Sequence, residues 1–154
     1  MFVLRFGSSD NEYLELRLTL PSGTEHADAW VQVDASLVVE GFHGSIQPMF
    51  EITDFIRFAS ELQRVYDSLS GQAIFDSRER QLFFTATGNG RGTVTIEGHA
   101  YSQATFGNKL EFNLSIDQTF LPKPLAVLNQ ISQEWAKLLP NPAFKRDAEK
   151  RGAP

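Results

Sequence analysis

The 154-residue chain contains no cysteine. That excludes a disulfide framework, a thiol nucleophile and every cysteine-based zinc or iron–sulfur site. Methionine and tryptophan are scarce, two of each, and no window approaches the roughly 18 apolar residues of a membrane-spanning helix. The opening MFVLRFGSSDNE has neither the basic flank nor the apolar length of a secretion signal. The expectation is a soluble, cytoplasmic protein with no membrane partner. Basic residues are also scarce in the first half: residues 1–77 hold four against twelve acids, a net of −8, whereas residues 78–154 hold ten against seven, a net of +3. Nucleic acid, which needs a basic footprint for its phosphates, is therefore a poor partner for the first half. A basic protein surface is a better one. Acids that serve only to keep a protein in solution would produce the same balance.

What the chain has in quantity is hydrophobic residues, 42% of the total and thirteen of them phenylalanine. This is enough for one substantial core, in a chain too short for two ordinary domains. Stiff aromatic side chains specify one packing rather than a compliant groove. Residues 1–139 read as one domain, and residues 140–154 as a polar, frayed tail.

Apolar residues alternate through the first third. Residues 3–6 are short and apolar, and residues 13–20 put Leu14, Leu16, Leu18 and Leu20 on one face with Glu15, Arg17 and Thr19 on the other. Residues 30–39 alternate again, with Val31, Val33, Ala35, Leu37 and Val39 inward and Gln32, Asp34 and Ser36 outward. Gly44 and Pro48 give residues 42–50 the composition of an edge or bulged strand. The period then becomes helical: Phe55, Phe58, Ala59, Leu62, Val65, Tyr66 and Leu69 share a face. Thr53 reads as the N-cap, Asp54 as a first-turn acid, Gly71 as the terminator, and Arg57 with Glu61 as a solvent-side pair. The large apolar side chains, at about 1.5–3 kcal/mol each when buried, require a sheet beneath this helix.

The second half repeats the pattern, with strands expected at 72–76, 81–87, 93–101 and 109–116. A helix over 122–139 then carries Leu125, Leu128, Ile131, Trp135 and Leu138 on one face. The order ββββ-α-ββββ-α makes an α+β domain: about eight antiparallel strands in a curved sheet or sandwich, with two amphipathic helices.

Chemistry-bearing patterns are weak. Gly88-Asn89-Gly90-Arg91-Gly92 joins two strands, so it reads as a hairpin turn rather than a phosphate loop, which opens a helix. His26, His43 and His99 share no ligand spacing, and no metal or other cofactor is expected. Asp117 ends a strand where the chain turns, a place for its carboxylate to accept the N–H of Thr119 or Phe120. No partner for a catalytic carboxylate pair is evident, and no nucleophile motif. Lys145, Arg146, Lys150 and Arg151 are interrupted by Asp147 and Glu149 and read as a solvated end.

Four segments carry a family resemblance: Ala29-Trp30-Val31-Gln32-Val33 opening a long strand, the Thr53-Asp54-Phe55 start of ITDFIRFASELQRVYDSLSGQAIF, the later strand pair, and LEFNLSIDQTFLP near the end. Over about residues 12–130 the chain resembles the WapI-type immunity proteins of bacterial polymorphic-toxin systems. The resemblance implies a non-catalytic module that binds and neutralises a cognate toxin in the cytoplasm of the producing cell. It carries no catalytic residues. Combined with the charge, it implies a basic toxin domain met by outward acids of the second and third strands and their loop: Glu15, Glu25, Asp28 and Asp34. Two other classes stay open, a small-molecule-binding or enzymatic barrel-like domain with its site inside the curved sheet, and a homo-oligomeric structural protein.

Overall fold

Strand alternation followed by helical periodicity is realised twice. The computed structural model describes residues 1–21, 29–105 and 107–138. The chain runs β1 (Phe2–Phe6), β2 (Tyr13–Leu18), β3 (Trp30–Gln32), β4 (Asp34–Val39), β5 (Phe42–Ile46), β6 (Met49–Glu51) and α1 (Ile52–Ser68). It continues through β7 (Ser70–Phe75), β8 (Leu82–Asn89), β9 (Thr93–Tyr101), β10 (Lys109–Asp117), a 3-10 turn (Gln118–Phe120) and α2 (Pro122–Leu138). Two open four-stranded antiparallel sheets result, in the orders β1-β2-β4-β5 and β10-β9-β8-β7, with β3-β6 as a two-stranded ribbon. The expected α+β class and element order hold. Neither sheet closes into a barrel among the described residues.

Ten strands replace the expected eight because one long hairpin is interrupted at a single level. Ala35 faces Ile46 in the β4–β5 ladder and Gln32 faces Met49 in the β3–β6 ladder, so no residue is inserted between them. Between these pairs Val33 donates its N–H to the Pro48 carbonyl at 3.0 Å, but Pro48 has no N–H to return. The anticipated irregularity is thus a missing donor, not a bulge.

β6 passes into α1 without a loop. Trp30 pairs with Glu51, and Ile52 N–H donates to the Ala29 carbonyl, which holds Glu51 extended. The N-cap is therefore Glu51, two residues before the expected Thr53. Asp54, the third helical residue, accepts the Glu51 N–H at 2.9 Å, one half of a capping box. Burial pushes the Asp54 carboxyl above its ordinary pKa, against the pull of the Glu51 N–H and of Arg57. Arg57 and Glu61 do not pair with each other as expected. The Arg57 guanidinium donates to Asp54 and to the Asp76 carbonyl, while Glu61 accepts the Ile74 N–H at 3.0 Å. Both side chains tie α1 to the segment that follows it.

The helix also ends earlier than Gly71. Leu69 adopts a left-handed conformation at φ 59°, a cost for a non-glycine residue, and its carbonyl accepts the Gly90 N–H at 2.7 Å. Leu69 passes so close to β8 that a Cβ on Gly88 would lie 2.6 Å from that carbonyl oxygen. Only glycine fits there.

Six phenylalanines join both sheets to α1. Phe6, Phe50, Phe55, Phe58, Phe75 and Phe84 are all fully buried. Phe58 sits among Phe6, Phe75 and Phe84 with ring centroids 6.1, 5.4 and 5.4 Å away. α2 packs on α1 and β1 through Leu125, Leu128, Ile131 and Trp135. Leu138, expected on that face, is exposed at the helix end. Replacing Phe58 by Ala is expected to cost about 3–5 kcal/mol in chemical denaturation. A near-neutral result would mean that the Phe58 side chain is not part of the core.

Candidate functional site

The face of the first sheet turned away from the phenylalanines is a lattice of paired charges. Cross-strand register sets Arg5 opposite Glu15 and Arg17 opposite Asp34. Glu15 accepts from the Arg5 guanidinium at 3.2 Å and from Arg17 Nε at 2.7 Å. Its side chain retains only 9% exposure, so Glu15 departs from the outward, solvent-facing position expected for it. Arg5 also reaches Asp10 at 2.9 Å and lies 3.9 Å above the Tyr13 ring. Asp34 is exposed and accepts from Gln47 Nε2 at 3.0 Å. Glu25 and Asp28 lie outside the described residues, as do His26 and the cations of the 140–154 segment. The structure therefore brings Glu15 and Asp34 onto one face, but surrounds Glu15 with two arginines.

The outer face of the second sheet carries a different surface. Phe83 stacks on His99 with centroids 5.5 Å apart, and His99 meets the edge of Tyr101 at 5.1 Å. Arg80 lies 5.1 Å over the Phe83 ring, and Lys109 lies 5.6 Å from the Tyr101 centroid. Arg80 is paired with Asp76 and Lys109 with Glu111. Aromatic and arginine side chains of this kind anchor protein interfaces. The strip escaped sequence reasoning because its members come from β8, β9, β10 and the loop before β8. The available signal was their shared outward parity once the strands are put in register.

Next to the strip a cleft of about 200 Å³ lies between the two sheets. Leu37 and Gly44 from the first sheet and Leu82, Ala100 and Leu110 from the second line it, with His43, Ser102, Asn108 and Lys109 at the rim. His43 and His99 stand on different sheets. Among the described residues no group of three or more His, Cys, Asp or Glu side chains is placed to hold a metal ion, and no helix is long and apolar enough to cross a membrane.

The family model of WapI-like immunity proteins matches residues 5–136, nearly all of the described structure. The chain belongs to this family. No curated protein matches it. A chain in the crystal structures of Trypanosoma bruciei MRP1/MRP2 is similar at 16% identity, with 86% of this chain and 81% of that chain covered and a TM-score of 0.47. A likeness this loose bears on neither function nor site.

In this WapI-like chain Asp117 does what its position suggested. Its carboxylate accepts the Thr119 N–H at 3.0 Å and the Thr119 hydroxyl at 2.7 Å, closing the turn between β10 and α2. Those two bonds hold its carboxyl below the ordinary aspartate pKa. A carboxylate with a lowered folded pKa contributes stability above its unfolded value, and that stability is lost as the pH falls through the folded value. NMR titration is expected to place the Asp117 midpoint below that of an unperturbed aspartate. Thr119→Val, which removes the hydroxyl donor, should move it up.

Proposed function

We propose that this member of the WapI-like family neutralises a cognate toxin by direct, non-catalytic binding in the cytoplasm of the producing cell. The observation that carries this reading is the family match across residues 5–136, which spans both sheets and both helices. The toxin domain is basic, on the grounds that residues 1–56 hold nine acids against Arg5 and Arg17. Electrostatic complementarity of this kind acts mainly on the rate of encounter.

Glu15, Glu25, Asp28 and Asp34 remain the proposed acidic contacts, with unequal roles. Glu15 is already neutralised by Arg5 and Arg17, so it serves to hold that lattice rather than to project a field. Asp34 is exposed and projects the negative charge that steers, and the structure adds Glu40, exposed in the turn between β4 and β5, to the proposed set. Glu25 and Asp28 join them on the strength of sequence position alone.

The test is pull-down with the product of the gene adjacent to this chain's own, followed by association rates at two salt concentrations. Asp34→Lys combined with Glu40→Lys is expected to slow association by about tenfold at low salt while leaving the unfolding midpoint nearly unchanged. Glu15→Lys would set three cations together and is expected to lower stability instead. Binding that ignores both salt and the Asp34/Glu40 reversal would remove the steering role, and absence of any binding would remove the immunity reading.

A further inference from the structure

The edges of the two sheets are protected unequally. β7 is covered by α1, with Glu61 taking the Ile74 N–H, and β1 packs against α2. β10 carries Lys109, Glu111 and Asp117 along its length, and charge is a common defence against unwanted strand pairing. β5 has none of these protections: it reads Phe-His-Gly-Ser-Ile, contains no Asp, Glu, Lys or Arg, and is paired only with β4 among the described residues. Phe42 on this strand is 60% exposed.

Directly beside β5 lies the apolar cleft, and Gly44 is the reason it is open. A Cβ built on Gly44 meets no atom within 4 Å, and its φ lies outside the left-handed range. Neither backbone conformation nor a close approach demands glycine here, although glycine weakens a strand interior. A branched apolar residue would serve the strand better and would fill the space between Ala35, Leu37, Leu82, Ala100 and Leu110. At about 200 Å³ the cleft is smaller than the roughly 300–1,000 Å³ of small-molecule sites. It has the size to take one large apolar side chain.

The geometry points to strand addition: an extended segment of the toxin pairs with the free edge of β5 and seats one large apolar side chain against Gly44. This rests on the reading of the chain as an immunity protein and specifies how the partner is held. Main-chain hydrogen bonds along β5 supply affinity, and the cleft supplies selectivity for the side chain that alternation turns inward. The Phe83–His99–Tyr101 strip continues from the rim through Tyr101 and Lys109, and offers rigid aromatic contacts to the rest of the same partner.

Gly44→Leu fills the cleft from within and is the decisive variant, with Gly44→Val as the smaller change should leucine prove too large to fold. The unfolding midpoint is expected to stay level or rise in at least one of the two, while affinity for the toxin captured as the product of the adjacent gene falls at least tenfold. In the wild-type chain, titration with toluene, a stand-in for a phenylalanine side chain, should shift the NMR amide signals of Gly44, Ala100 and Leu110; the Gly44 variants should abolish those shifts. Wild-type binding with unchanged affinity in a folded Gly44 variant would overturn the slot and leave the immunity reading intact. No wild-type binding to the toxin would overturn that reading, and the toxin as occupant with it. A concentration-dependent wild-type mass that returns to the monomer value in the Gly44 variant would assign the slot to a second copy of this chain, and would likewise overturn the proposal.

Discussion

The phenylalanine cluster is the constraint on which the rest of the molecule depends. Its six rings come from β1, β6, α1, β7 and β8, so each sheet contributes to one shared set of contacts with the first helix. Phe75 is the hub: it stacks on Phe84 at 5.0 Å and an interplanar angle of 9°, and meets Phe50, Phe55 and Phe58 edge-on. Edge-on and stacked pairs contribute about 0.5–1.5 kcal/mol each beyond their buried area. Because side chains alternate along a strand, a one-residue slip of β1 or β8 would turn Phe6 or Phe84 to the outside. The cluster therefore fixes register as well as stability.

Fixed register has consequences on the opposite faces. With Phe6 and Leu14 inward, Arg5 must lie opposite Glu15, and Arg17 must lie beside both Glu15 and Asp34. The net charge of the first half overstates the field at this face, since two of its four cations are spent on neutralising Glu15. In the second sheet the same parity brings Phe83 of β8 together with His99 and Tyr101 of β9. One inward pattern thus creates both outer surfaces.

The two helices decide which sheet edges are left open. α1 follows β6 without a loop and lies along β7, and α2 closes over β1. That leaves two edges without a helix among the described residues: β10, which carries charged side chains, and β5, beside a cleft that the core does not fill. Under the proposed immunity reading, an edge that is uncovered among the described residues and lacks charged guards is a surface that a partner strand would complete.

Much of this was legible in residues two or four apart. Alternation in the strands, the 3.6 period of Phe55, Phe58, Leu62 and Val65, the turn closed by Asp117 and the succession of strands, helix, strands, helix are all local, and a local period is written directly in the chain. What only the tertiary structure decided involves partners distant in sequence. The helix begins at Glu51 because Trp30 and Ala29 hold that residue extended. Arg57 turns from Glu61 to the Asp76 carbonyl because β7 follows α1 so closely. Glu15 loses its exposure to arginines ten residues before it and two after it, and Gly44 borders an empty space because the walls opposite come from Leu82, Ala100 and Leu110. Sequence fixes which face a side chain takes; which neighbour it meets there depends on sheet order and register, set by the long-range packing of the phenylalanines.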